Sequence, residues 1–399
     1  MNTEANAAAL QRLHAISPQW TGIRPARDAV GLPERTLLHA GPPFRDPSRP
    51  SAPVLSSAIL CCLHEGWASS EEDAQQLIAK RQVELAPAQS LGVVTPLAAV
   101  ISPRTSLVEV ADARDPAHRA HRAWSLLGSG AGPQLRFGTR NRAVLERLKW
   151  RDEVLAPALA TKLKQRPIEL IPLARHGLDK GDDLHARTTG ACAALREQLA
   201  AYAVDPSVDE MLAQTPLFFL TLWMAACHLM MSAAAHSADS ATTLVIALAG
   251  NGDEVGIRVA GRPSTWFSMP ADAPEGPRID PSVKALAAGL TGDSGVIDAA
   301  GFGAQALMLA PEPAGAFAPW LPAGWEMDQA RLYAGAHPAF DRLHCGLDAA
   351  RVVAEQLAPL AAIAMIGADG RTGLLGRGLY AAPVDLFATA IEALSQPLC

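Results

Sequence analysis

Five short stretches set basic, hydroxyl or carboxylate side chains beside glycine and proline, the mixture that anion-binding loops use. In TGIRPARDAVGL, Arg24 and Arg27 can present planar forks to a carboxylate or phosphate, though helix capping or surface pairing would employ them equally well. His39 ends the following apolar run, LLHAGPP, at a strand end where active-site residues of α/β proteins gather. Ser102-Pro103-Arg104-Thr105 follows AAVI and offers two hydroxyls, backbone amides and a guanidinium to a phosphate. In Gly181-Asp182-Asp183-Leu184-His185-Ala186-Arg187, either aspartate can cap a helix whose first turn would hold His185 and Arg187. There His185 could carry a proton or polarise a carbonyl and Arg187 could hold an anion, while a hydrogen-bonded pair between domains is the alternative. The fourth stretch is the Asn251-Gly252 turn leading to Arg258, and the fifth is Gly292-Asp293-Ser294 with Gly301-Phe302-Gly303-Ala304-Gln305-Ala306. The latter fits a relaxed G-x-G-x-x-A pattern, but VIDAA before it is a poor strand. Glycines for close packing, or amides aimed at an anion, explain it better than a dinucleotide site.

Other chemistries lack support. Cys61, Cys62 and His64 form the one tight soft-ligand cluster and lie in an apolar helical run, so core is expected there and no metal or cofactor. HExxH, CxxC, Walker and GxSxG patterns are absent. With 34 basic and 40 acidic side chains in 399 residues, the formal charge of -6 gives no reason to expect nucleic acid. The six cysteines, Cys61, Cys62, Cys192, Cys227, Cys345 and Cys399, read as reduced thiols of a cytoplasmic protein, and no secretory signal opens the chain. Thr215 to Ala235 is apolar enough to raise the membrane question, but without flanking basic clusters or aromatic belts it reads as a buried helix.

A mixed α/β, or α+β, multidomain protein should position these residues, since 49% hydrophobic content supports a large core. Residues 1–148 alternate apolar runs with Gly/Pro turns and suggest a Rossmann-like α/β part, with a Ser-capped helix at 69–79. Residues 149–240 read as a helical subdomain, continuing a helical pattern that starts at Asn141. Residues 241–399 read as α+β, with a hairpin around Asn251-Gly252, the Gly-rich segment and a closing amphipathic helix, VDLFATAIEALSQ.

Seven segments occur in an order that resembles one family: LLHAGPP, the AVISP run, LRFGTRNRAVLERLKWRDEVLAPAL, GDDLHARTT, FFLTLWMAAC, GNGDEVGIRVAG and GDSGVIDAAGFG. From about residue 20 to the C-terminus the chain is similar to the AllG (YlbE-like) family, whose best-known member is a subunit of bacterial oxamate carbamoyltransferase in allantoin catabolism. The resemblance implies a cytoplasmic protein transferring a carbamoyl group between carbamoyl phosphate and a small amide or carboxylate such as oxamate. It also implies a succinyl-CoA-synthetase-like partner and a third small subunit; a homo-oligomer is a further expectation, and neither nucleic acid nor membrane is expected as a partner. Ser102, Arg104 and Thr105 also match the S-x-R-T pattern of aspartate- and ornithine-type carbamoyltransferases, of whose second motif His337-Pro338 is a fragment. Under this reading Arg24, Arg27, Arg187, Asn251, Arg258 and Ser294 would hold substrate, while His185, Asp293 and His39 would serve the chemistry. Two departures stand out. Gln89 to Pro96 replaces a run of histidines typical of the family, and Arg104 stands where a smaller residue is expected. A noncatalytic assembly subunit, or a member turned to a biosynthetic acyl or amide reaction, therefore remains an alternative.

Overall fold

Every residue of the helix Phe219–Ala235 except Ser232 and Ala235 is buried. A helix apolar on all sides needs neighbours on all sides. In the computed structural model, which describes residues 3–115, 121–202 and 205–396, it has them. The strands Ser106–Asp112 and Arg122–Leu126 pack on it, as do the strand Val245–Asn251 and the helices Thr3–Ala15 and Gly295–Ala300. Each fully buried Leu, Phe or Met on it contributes about 1.5–3 kcal/mol. No helix among the described residues is long and apolar enough to cross a membrane.

Two main sheets contact this helix. The first has the order Val93–Val94, Arg122–Leu126, Ser106–Asp112, Pro18–Pro25, Ile168–Glu169; the second runs Arg262–Pro270, Glu254–Val259, Val245–Asn251, Thr291–Gly292. The mixed class expected from sequence holds, but the N-terminal part is not the parallel Rossmann-like sheet anticipated. Pro18–Pro25, Ser106–Asp112 and Arg122–Leu126 pair antiparallel, and among the described residues parallel pairing is confined to Val93–Val94 with Arg122–Leu126 and to Thr36–His39 with Glu84–Pro87. Alternation of apolar runs with turns cannot fix strand direction, which depends on where each chain returns.

Local signals fared better. Ser70 caps the helix Glu71–Ala79 by accepting from the Asp73 amide. Gly252, at φ 94°, turns Val245–Asn251 into Glu254–Val259 as an antiparallel pair. The pattern beginning at Asn141 forms Ala143–Trp150 and Ala156–Gln165, joined through a π-helical turn, Arg151–Leu155. The last helix, Val384–Leu394, buries Leu386, Phe387 and Ala390. Two large apolar cores result, and each draws on segments from both sides of residues 148 and 240.

Candidate functional site

Asp183 bends the chain ahead of the helix Thr189–Ala200. Its carboxylate accepts from the amides of Ala186 at 3.0 Å and Arg187 at 2.7 Å, a local competitor to helical bonding. His185 and Arg187 therefore lie in a loop before the helix, not in its first turn as expected, with Leu184 at φ 68°. Asp182 caps the helix from outside by accepting from Ala191 N at 2.9 Å, and its other oxygen pairs with Arg187 Nε at 3.1 Å. Burial pushes the Asp183 carboxyl up to about 6.

His185 meets a partner absent from the sequence-based candidates. Its Nδ1 lies 2.7 Å from Asp298 Oδ2, and both side chains are buried. The second oxygen of Asp298 accepts from Ala304 N at 2.9 Å and Ala362 N at 3.0 Å, so the carboxylate cannot swing away. Gly303 is required here: it adopts φ 61°, and a Cβ would fall 2.2 Å from Asp298 Oδ1. Close packing is thus what this glycine serves. With Nδ1 held by the carboxylate, Nε2 is the ring nitrogen left to take or give a proton.

His185, Arg187 and Ser294 line one pocket of about 340 Å³. Its other walls are the loop Pro96-Leu97, the N-terminal approach to the central helix at Pro216 and Leu217, and the hairpin Leu360–Ile366 with Leu374–Ala381. Arg136 and Arg377 line it too, and neither was expected. Arg377 is engaged with Glu312 at 2.8 Å, whereas the Arg136 guanidinium rests 5.1 Å from the Phe137 ring centroid. The arginine-rich 136–142 run gave some signal for Arg136. For Asp298, inside VIDAAGFG, only the following Gly-x-Gly hinted at a tightly wrapped side chain.

Asp293 does not line this pocket; it clamps the wall behind it. Its oxygens accept from Gly41 N at 3.0 Å, Gln89 Nε2 at 2.7 Å and Thr95 N at 2.9 Å, and burial pushes its carboxyl up to about 6 against those bonds. Beside this clamp Gly292, at φ 119°, allows its backbone to meet that of Leu97. Arg258 reaches the same cluster by donating to Gln89 Oε1 and lies 5.1 Å from the Trp266 ring centroid. The stretch that departs from the family histidines thus begins with a side chain committed to Asp293 and Arg258. His39 is fully buried beside it: Nδ1 bonds Ala40 O at 2.8 Å, and burial lowers its pKa to about 4, which leaves it neutral. Asn251 shapes the hairpin turn, accepting from Asp253 N and Glu254 N and donating to Pro42 O.

The remaining candidates lie elsewhere. Arg24 pairs with Glu109 at 3.1 Å and Arg27 is exposed. The Ser102–Thr105 turn already holds an anion, the Glu65 carboxylate, which accepts from Ser102 Oγ at 2.6 Å and Arg104 N at 2.7 Å. Thr105 Oγ1 accepts from Ser102 N, and the Arg104 guanidinium donates to His64 O. Cys61, Cys62, Cys192, Cys227 and Cys345 are buried free thiols, and Cys399 lies outside the described residues.

Both the fold and the sequence have known relatives. A solved protein of unknown function from Enterococcus faecalis V583 shares the fold at a TM-score of 0.91, with 25% identity over 98% of this chain and 97% of that one. The uncharacterized protein YahG of Escherichia coli K12 is 28% identical over 97% of this chain and 84% of its own length. Oxamate carbamoyltransferase subunit AllG of Escherichia coli K12 is 31% identical over 99% of this chain and 98% of its own length. With the profile described as oxamate carbamoyltransferase subunit AllG matching residues 83–294 as well, the chain belongs to the AllG family.

Proposed function

We propose that this protein is a carbamoyltransferase-type subunit that moves a carbamoyl group between carbamoyl phosphate and a small amide or carboxylate such as oxamate. The observation that carries the reading is the His185–Asp298 pair at a pocket shared with Arg136, Arg187 and Ser294. An amide nitrogen is a poor nucleophile until it loses a proton, and the buried carboxylate stabilises the imidazolium formed when His185 Nε2 accepts it. The nitrogen then bonds to the carbamoyl carbon, the bond from that carbon to the phosphate oxygen breaks, and phosphate leaves with the electron pair. Arg187 and the other pocket arginines meet the anionic groups, and Ser294 is placed to hydrogen-bond an amide or carboxylate. Asp293 and Arg258 serve as positioning residues.

On this reading the protein works in the cytoplasm, in allantoin breakdown, beside a succinyl-CoA-synthetase-like partner. Kinship with a protein described as a subunit supports an assembly. The engagement of Gln89 with Asp293 and Arg258, where the family's histidines are expected, favours the second reading, a noncatalytic subunit that completes a partner's site. The test is to incubate the chain, alone and with its neighbouring gene products, with carbamoyl phosphate and a panel of small amides and amines including oxamate. Phosphate release and a carbamoylated acceptor, both lost in His185→Ala, support catalysis. Activity that requires the chain but survives that substitution selects the assembly role, and no product across the panel overturns the transfer reading.

A further inference from the structure

Three of the pocket's polar groups are answered within the protein: His185 by Asp298, Arg187 by Asp182 and Arg377 by Glu312. Arg136 is not. Among the described residues its guanidinium makes no ion pair and no hydrogen bond, and its Nε is shut off from solvent without a partner. An arginine in that state has lost part of its hydration without recovering it from protein acceptors, a cost that a bound anion would remove.

Arg136 also lines a second, smaller cavity of about 30 Å³, which shares Pro96 and Leu217 with the main pocket and adjoins it there. One wall of this cavity is Gly128-Ser129-Gly130, which follows the strand Arg122–Leu126. Two of the loop's carbonyls face protein donors: Ser129 O accepts from Arg147 Nη2 at 2.8 Å, and Gly130 O from Gln134 Nε2 at 2.7 Å. The amides of Gly128, Ser129 and Gly130 have no acceptor among the described residues. Gly130, at φ 91°, packs against Met211 and Arg147, so the turn admits no side chain there. The other arginine of this wall, Arg151, is occupied by both oxygens of Asp152.

We infer that Arg136, with the amides of the Gly128–Gly130 loop, forms a phosphoryl-oxygen subsite opening onto the His185 pocket. Its ligand is a phosphate group, either free or at the end of a phosphorylated donor. A guanidinium fork and a row of amides together present more donors than the two oxygens of a carboxylate can use, whereas the three terminal oxygens of a phosphoryl group can take them. The inference rests on the reading of the main pocket as the place of transfer, because it puts the leaving phosphate beside that pocket and the acceptor within it.

Calorimetric titration of the full chain with inorganic phosphate, and in parallel with oxamate, tests this without requiring turnover. Wild type and an Arg49→Ala surface control are expected to bind phosphate alike. Arg136→Ala should bind it about 10- to 100-fold more weakly, the worth of one charge-assisted contact, with partial recovery on adding guanidinium ion. Arg136→Lys, which keeps charge but loses the fork, should fall between, and it decides the matter should the alanine variant fail to fold. The inference is overturned by phosphate affinity unchanged in both variants, by wild type that binds no phosphate, or by loss of oxamate binding alone, which would make Arg136 a carboxylate anchor. Loss of phosphate binding in the variants of a chain that transfers no carbamoyl group under any condition would uphold the subsite while removing the transfer reading.

Discussion

His185 and Asp298 form a candidate pair at the main pocket whose geometry is over-determined, since three donors converge on a single buried carboxylate. Two substitutions should therefore test the pair. His185→Ala is expected to lower kcat for carbamoyl transfer by about 10²- to 10⁴-fold, the usual range for a general base, and to cost about 1–3 kcal/mol in urea unfolding by stripping a partner from the buried Asp298 carboxylate. Asp298→Asn should lower kcat as well and also destabilise the protein by about 1–3 kcal/mol, because an amide presents one acceptor where the carboxylate presents two. Equal and small effects of both on stability and rate would remove the pair from the mechanism. His185 was legible in the sequence as a polar residue at a helix entrance. Asp298 was not, because 113 residues separate it from the histidine and nothing local marks it.

At the scale of elements, the Ser102–Thr105 turn shows how an internal carboxylate can occupy an anion-loop pattern. The turn has the donors expected of it, but Glu65, at the end of the helix Ala52–Glu65, supplies the anion. Arg104→Ala should leave carbamoyl transfer unchanged. Ser102→Ala should cost about 1–2 kcal/mol in chemical unfolding by stripping a donor from the Glu65 carboxylate, again with kcat preserved. A large loss of phosphate release in either variant would return the turn to the active site. The segment at 181–189 teaches a related lesson: its aspartates were readable as caps, but which amides each would take depended on the bend at Leu184 and on Arg187 reaching Asp182. Elements with a strong internal period needed no such help. The central helix, the Ser70-capped helix and the Asn251-Gly252 hairpin all form where their patterns put them.

Across the whole molecule, the main pocket takes residues from each of the three stretches that the sequence divides at about 148 and 240, so its integrity follows global stability. That stability has a pH-sensitive contributor in the central helix. His228 is buried with Nδ1 unpartnered, and burial together with Arg258 lowers its pKa to about 3. The unfolded chain would take up a proton near pH 6.5 while the folded chain does not. Proton uptake at this histidine therefore leaves stability untouched above pH 6.5 and opposes folding increasingly as pH falls towards about 3. Wild type should lose about 1.4 kcal/mol per pH unit relative to His228→Leu between pH 6 and pH 4, while at pH 8 the leucine variant should be the more stable. Parallel pH profiles for the two proteins would refute this assignment.

The mixed α/β class, the buried apolar helix, the main caps and turns and the family were legible in the sequence, which also offered His185, Arg187 and Ser294, three candidates that line one pocket. These depend on periodicity, on side chains that satisfy nearby backbone groups, and on the order of segments along the chain, all written within short windows or in their succession. Strand direction, the partners that engage His39, Asn251 and Ser102–Thr105, and the pairing of His185 with Asp298 emerge only in the tertiary structure. There too Arg136 goes unanswered. Whether a carboxylate reaches an arginine, as Glu109 reaches Arg24 and none among the described residues reaches Arg136, depends on how segments far apart along the chain pack together.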